Sequence, residues 1–161
     1  MSETKIVAAP GKQEVVISRT FDAPRELVYE VYTDPKLMPE WWGPATLATR
    51  VDEMDVRRGG LWRFVNVDGG GMEYAFRGVY HEAVSPERLV YTNEFEGMPG
   101  AVGLVTVTFD ELPGEKTLLT EVNLFPSVDA RDAVVQSGMA EGASQALERL
   151  AALLSKRRAQ A

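Results

Sequence analysis

Few of the 161 residues are suited to acid–base, nucleophilic or metal chemistry, and their types exclude more than they offer. There is one histidine, His81, and no cysteine. A histidine cluster for zinc, a thiolate site, a cysteine nucleophile and a disulfide are therefore excluded, and any metal would rest on carboxylates. If Tyr74–Glu82 is a strand, its side chains alternate faces. Tyr74, Phe76, Gly78 and Tyr80 then form an apolar set, with Glu73, Arg77 and His81 opposite, so His81 is expected to point outward. Ser18, Ser85, Ser127, Ser137, Ser144 and Ser155 occupy no Gly-x-Ser-x-Gly context, and a triad would need the lone histidine as its base. Gly69-Gly70-Gly71 lies between predicted strands and lacks the lysine of a phosphate-binding loop, so it reads as a flexible hairpin. No metal and no cofactor are expected.

Two groups remain. Strict alternation to the strand end places Glu82 on the apolar face, where a carboxylate needs a partner such as Arg63 or Arg88. Glu82 is then either a structural ion pair or a polar anchor in a cavity wall, and a buried acid with a raised pKa does general acid–base work. The second group is aromatic: Trp41, Trp42, Trp62, Phe64, Tyr74, Phe76, Tyr80, Tyr91 and Phe95. Such residues pack cores well, and together they also suit the wall of an apolar pocket.

These residues have to be positioned by regular elements. Glu14–Phe21 reads as a strand, rich in β-branched residues. Asp22-Ala23-Pro24 starts a helix, with Leu27, Val28, Val31 and Tyr32 at helical spacing. Asp34-Pro35 stops it, and a second short helix covers Lys36 to about Trp41, ended by Gly43-Pro44. Six further strands are predicted at 46–56, 61–67, 72–83, 88–95, 102–112 and 116–125, separated by turns such as Pro113-Gly114-Glu115. Connections this short make sequence neighbours antiparallel. The last segment reads as one helix capped by Asp129, with Val135, Met139, Gly142, Ala146, Leu150 and Leu153 in one stripe. Running to Lys156 it has about twenty-five residues and spans nearly 40 Å at about 1.5 Å each. A helix with one apolar stripe must bury it, and the sheet is the only large partner available, so the sheet has to curl around the helix. The predicted class is α+β: a curved antiparallel sheet around a long C-terminal helix, with two short helices after the first strand. Residues 1–12 are expected to be a flexible arm, 13–156 one domain and 157–161 a tail.

Bulk properties agree with an ordinary globular domain: 45% hydrophobic, 25% charged, net charge −7. The negative charge argues against nucleic acid, whose phosphates call for a concentrated positive field. The one basic run, Lys156-Arg157-Arg158, complements the negative end of a helix dipole. No apolar run approaches the roughly 20 residues that insert into a bilayer, and the first residues lack the apolar stretch of a signal peptide. A soluble cytoplasmic protein is expected.

At this point the motifs resemble a known family. Phe21-Asp22-Ala23-Pro24-Arg25-Glu26-Leu27-Val28-Tyr29 is similar to the strand-to-helix entry of the bacterial AHSA1-like domains, named after the activator of the Hsp90 ATPase, within the START-like (SRPBCC) superfamily. Pro39-Glu40-Trp41-Trp42-Gly43-Pro44 resembles their double-tryptophan helix end. Arg57-Arg58-Gly59-Gly60-Leu61-Trp62-Arg63-Phe64 resembles their double-glycine hairpin. The run from Gly78-Val79-Tyr80-His81 to Arg88-Leu89-Val90-Tyr91 resembles their most recognisable strand–turn–strand. These motifs occur in the family's order across about residues 13 to 154.

The resemblance implies the helix-grip fold and, in the wider superfamily, binding of lipids, sterols, hormones or polyketides. Three roles follow as expectations. The first is a binding module holding a small apolar or amphipathic ligand between sheet and C-terminal helix. The second is a polyketide cyclase-like enzyme in which Glu82, Tyr80 or an arginine moves protons. The third is partnership with an Hsp90 homologue, although the chain lacks the additional N-terminal domain of the Hsp90 activator. Where the family's last helix often carries Gly-Trp, this chain has Gly142-Ala143, and a roomier space beneath the helix is expected there. The ligand-binding set expected from sequence is Trp41, Trp42, Trp62, Phe64, Tyr74, Phe76, Tyr80, Glu82, Tyr91, Met139, Gly142, Ala143 and Ala146.

Overall fold

A computed structural model describes residues 3–160. The sequence folds as eight strands and four helices in the order β1 (Lys5–Val7), β2 (Glu14–Phe21), α1 (Arg25–Tyr32), α2 (Met38–Trp41), β3 (Ala48–Met54), β4 (Leu61–Val67), β5 (Glu73–Val84), β6 (Arg88–Phe95), β7 (Gly103–Leu112), β8 (Lys116–Leu124), α3 (Val128–Gln136) and α4 (Met139–Ala159). The eight strands form one sheet, ordered β1-β2-β8-β7-β6-β5-β4-β3, and every neighbouring pair is antiparallel. This is the predicted α+β helix-grip class. Among the described residues, no helix is long and apolar enough to cross a membrane.

Alternation decides what the concave face presents. Val15, Ile17 and Phe21 of β2, Val105, Val107 and Phe109 of β7, and Thr117 and Leu119 of β8 are buried at every second position. Val28, Tyr29, Val31 and Tyr32 of α1 and Leu147, Leu150 and Leu154 of α4 cover them. Gly78 is required by a close approach: a Cβ there would lie 1.7 Å from the Thr92 carbonyl oxygen and 2.5 Å from Trp62 Nε1. The missing side chain lets the Trp62 indole cross β5 and donate to that carbonyl at 3.0 Å.

Three sequence expectations need correction. The supposed N-terminal arm contains a strand, since Lys5, Ile6 and Val7 pair with Ser18, Ile17 and Val16; Met1, Ser2 and Ala161 lie outside the described residues. The supposed tail is largely helical, because α4 continues to Ala159. Arg158 there reaches Asp22 at 3.3 Å and Glu115 at 3.1 Å.

The third correction is the largest. The predicted single terminal helix is two helices. Its N-cap is Ser127, not Asp129: the Ser127 hydroxyl accepts from the Ala130 N–H at 3.0 Å. The break is at Gly138, held at φ +92, the left-handed conformation that glycine adopts without strain when it ends a helix. The Gly142 N–H still bonds the Gly138 carbonyl at 3.2 Å, so the 3.6-residue rhythm runs through the interruption. α4 runs from Met139 to Ala159. It packs on α2, α1 and β2, with the 39–45 segment tied to its flank: Arg149 donates to the Pro39 and Gly43 carbonyls at 3.3 and 3.4 Å, and Gln145 Oε1 accepts from Ala45 N–H at 2.9 Å.

Candidate functional site

One interior space lies between α1, α2 and the β3–β6 half of the sheet. It is a cavity of about 40 Å3, walled by Tyr32, Met38, Trp42, Met54, Trp62, Phe64, Tyr80, Leu89, Tyr91 and Asn93. Each wall residue is there for a local reason. β4 alternation turns Trp62 and Phe64 inward, both nearly fully buried. β6 does the same for Leu89, Tyr91 and Asn93. α1 ends on Tyr32, and α2 supplies Met38 and its C-cap residue, Trp42. The rings meet largely edge to face: Trp42 on Phe64 at 5.0 Å, Trp42 on Trp62 at 6.5 Å, and Trp62 on Tyr91 at 5.7 Å between centroids. Such pairs keep a fixed geometry, whereas Met38 and Met54 are the adaptable part of the wall.

The wall also carries polar groups. The hydroxyls of Tyr32 and Tyr91 are 3.4 Å apart, and either can donate. Tyr80 packs on Tyr91, centroid to centroid at 5.8 Å. Burial raises the pKa of all three phenols above the usual 10, so they are neutral hydrogen-bonding groups at physiological pH. Asn93 adds a side-chain oxygen that is buried with no partner. No wall residue carries a permanent charge.

Behind Tyr32 and Tyr91 sits Glu121. It faces Ile17 of β2 and Val107 of β7 across the strand register, and strand parity places it on the face of the buried Leu119. The residue is half-buried. Desolvation raises the carboxyl from 4.5 to about 7, while the nearby Tyr32 hydroxyl favours the ionised form and opposes the rise. Its negative charge in turn pushes Tyr32 and Tyr91 further up. A buried acid that titrates near neutrality, beside a pocket, is a recognised mark of functional sites.

The structure gathers five of the residues expected from sequence, Trp42, Trp62, Phe64, Tyr80 and Tyr91, around one space. Phe76 stands one layer out, against Trp42 at 5.6 Å and Phe95 at 5.1 Å. Trp41 is buried against Tyr32 at 5.0 Å, outside the wall, with its indole N–H unpaired. Tyr74 lies at the far end of β5, its hydroxyl 3.4 Å from an Asp68 carboxylate oxygen. Met139, Gly142, Ala143 and Ala146 belong to α4 and do not line the cavity. Beneath Gly142 the space is already filled, since a Cβ there would meet Pro44 Cγ at 3.3 Å.

Glu82 is a correction. A register shift between Tyr80 and Glu82 interrupts the alternation, pairing Tyr80 with Tyr91 but Glu82 with Val90. An extra residue on one strand turns the following side chains over. Glu82 is consequently exposed and sits 3.5 Å from Arg88, both side chains about half accessible. It is the surface ion pair, not the cavity anchor. Arg63, the other suggested partner, bonds Glu96 at 2.7 Å and also pairs with Asp52. His81 is exposed, as expected.

Sequence reasoning missed Tyr32, Met38, Met54, Leu89 and Asn93 of the wall, and Glu121 behind it. Tyr32 was read only as part of a helical stripe. Glu121 carried a usable signal: in Thr117-Leu118-Leu119-Thr120-Glu121 it shares parity with Leu119, the arrangement that puts a carboxylate indoors.

Comparisons with known proteins agree with this architecture. The sequence profile of the family described as Activator of Hsp90 ATPase homolog 1-like protein matches residues 22–155. Among curated proteins, none matches. Among solved structures, a Rhodobacter sphaeroides protein shares 27% identity at a TM-score of 0.87, over 96% of this chain and 99% of its own. Protein CV1439 from Chromobacterium violaceum shares 30% at a TM-score of 0.78, over 88% and 96%. The AHSA1 protein of Silicibacter pomeroyi, at 23% and a TM-score of 0.73 over 89% and 99%, shares the fold.

Proposed function

The chain belongs to the family of Activator of Hsp90 ATPase homolog 1-like proteins, and from that premise we propose that it is a binding module for a small, largely apolar ligand carrying one polar end. Fold membership alone does not name an activity; the site carries the reading. The supporting observation is that Tyr32, Tyr80, Tyr91 and Asn93 place polar groups in a cavity wall that is otherwise aromatic, aliphatic and thioether. Apolar walls with a few placed polar groups are the usual chemistry of small-molecule pockets. At about 40 Å3 the space holds roughly three waters, or the head of a ligand whose remainder displaces Met38 and Met54. The absence of charge on the wall disfavours a carboxylate or phosphate head, which would be buried unpaired.

Native mass spectrometry of the protein isolated from its own host tests this reading. A co-purified small molecule is expected in the wild type and is lost in Leu89→Phe, which grows a ring into the cavity. That variant should keep its melting temperature or gain slightly, because filling a void restores contacts. Absence of any retained molecule, or equal retention by both proteins, would count against the cavity as the binding site.

A further inference from the structure

Resting on that cavity, we propose that Asn93 sets its specificity: the ligand's polar end is a neutral hydroxyl on a flat ring, which donates to Asn93 Oδ1 and accepts from the paired hydroxyls of Tyr32 and Tyr91. The argument begins with an unpaired atom. Asn93 lines the cavity and shares the β6 parity of Leu89 and Tyr91, so its side chain leaves the sheet on the cavity side. Its Oδ1 is buried and has no hydrogen-bond partner. Buried acceptors are rarely left so, because an unmade hydrogen bond is costly.

The sheet itself cannot supply the missing donor. On β7 the residue opposite Asn93 is Gly103, which has no side chain. On β5 the register that pairs Arg77 with Glu94 and Tyr80 with Tyr91 sets Gly78 opposite Asn93. The place of a Gly78 side chain is taken by the Trp62 indole, and its N–H is already donated to the Thr92 carbonyl at 3.0 Å. With glycine on both flanks, a partner for Oδ1 has to come from the space above the sheet. That space also meets Tyr32 and Tyr91. Their hydroxyls are 3.4 Å apart, and a bond between them uses one hydrogen and leaves the other O–H to a ligand.

The wall thus presents one acceptor and one donor. A hydroxyl answers both at a single atom. A ketone or ether satisfies the tyrosines and leaves Oδ1 unpaired. An ammonium reaches Oδ1, but no carboxylate in the wall balances its charge. A primary amide carries both functions and needs room for two polar atoms. At about 40 Å3 the space suits the smaller head. A benzene ring occupies a cavity of about 150 Å3, so the ring enters by displacing Met38 and Met54, with the edge-to-face Trp42, Trp62 and Phe64 around it. The ligand class is therefore phenolic.

The test measures dissociation constants of phenol, its apolar isostere toluene, anisole as an acceptor without a donor, and benzamide. The proteins are the wild type, Asn93→Leu, and Met54→Ala, whose shorter side chain makes room for a ring. Phenol should bind about tenfold tighter than anisole, as one buried hydrogen bond allows. Asn93→Leu should lower the phenol-to-toluene preference about tenfold while holding toluene at least as well. In the wild type, which guards against a variant that fails to fold, the Asn93 side-chain 13Cγ signal should move downfield with phenol and not with anisole. Equal affinity for phenol and anisole, an unchanged preference in Asn93→Leu, a silent Asn93 signal or tighter binding of benzamide overturns the assignment. If toluene binds while any of these is seen, the cavity stands and the role of Asn93 alone fails. If no probe binds the wild type, the same comparisons are read in Met54→Ala; if none binds there either, the cavity reading fails as well.

Discussion

Replacing Glu121 by glutamine should stabilise the protein by up to about 3 kcal/mol at about pH 8 and change it little below pH 4.5. The carboxyl titrates at 4.5 when freely solvated and at about 7 in the fold. The folded state thus holds the proton more tightly than the unfolded state. Below 4.5 the group is protonated in both and costs nothing. As pH rises from 4.5 to 7 the unfolded chain ionises while the folded one resists, and stability is lost across that window. The difference, 7 − 4.5 = 2.5, at about 1.4 kcal/mol for each pH step, gives about 3.5 kcal/mol, which partial access to solvent lowers to about 3 kcal/mol or less. Glutamine keeps the shape and the hydrogen-bonding capacity without a charge to desolvate. Urea unfolding midpoints of both proteins between about pH 4 and pH 8 should diverge as pH rises. Parallel curves, or a glutamine variant that is weaker throughout, would show that Glu121 is not buried as described.

The second large effect is expected at Leu150. Its side chain has no solvent-accessible surface, and it sits on the α4 face that packs against α2, α1 and β2. Leu150→Asp removes apolar contacts worth roughly 2–5 kcal/mol in comparable Leu→Ala changes and adds an unpaired buried charge. A total loss of at least about 4 kcal/mol approaches the entire stability of a typical domain. Circular dichroism should show a protein that is largely unfolded or melts far lower, while Leu150→Ala retains the fold at reduced stability. A Leu150→Asp melting temperature close to wild type would mean that α4 is seated on another face.

Much of this architecture was legible because local rules agree along the chain. The strands at 14–21, 61–67 and 88–95 match their predicted bounds, since β-branched runs closed by Gly, Pro and Asp turns leave little choice. Two of the failures share a physical cause: each concerns one residue whose backbone departs from the surrounding rhythm. Gly138 keeps helical spacing on both sides of a break, so periodicity runs through it, and only its positive φ reveals two helices. The shift beyond Tyr80 reverses the parity on which the inward placement of Glu82 depended. Small residues at Gly142 and Ala143 read as spare room beneath α4, yet Pro44 occupies the space below Gly142. The loop that brings Pro44 there is fixed by tertiary contacts with Gln145 and Arg149 that no local pattern announces. For the site, residue type identified the aromatic wall, but the buried acid was overlooked because strand parity was followed on β5 and not on β8.

The central claim is that the binding space lies between α1, α2 and the aromatic half of the sheet. The most direct measurement is a two-dimensional 1H–15N spectrum recorded while toluene is added. The Nε1–H signals of Trp42 and Trp62 report from inside the wall, and that of Trp62 is anchored on the Thr92 carbonyl. We expect both indoles and the Tyr91 and Asn93 amides to shift saturably in the wild type and not in Leu89→Phe, with Met139, Gly142 and Ala143 unmoved. Shifts confined to α4, or no saturable shift at either indole, would contradict the account.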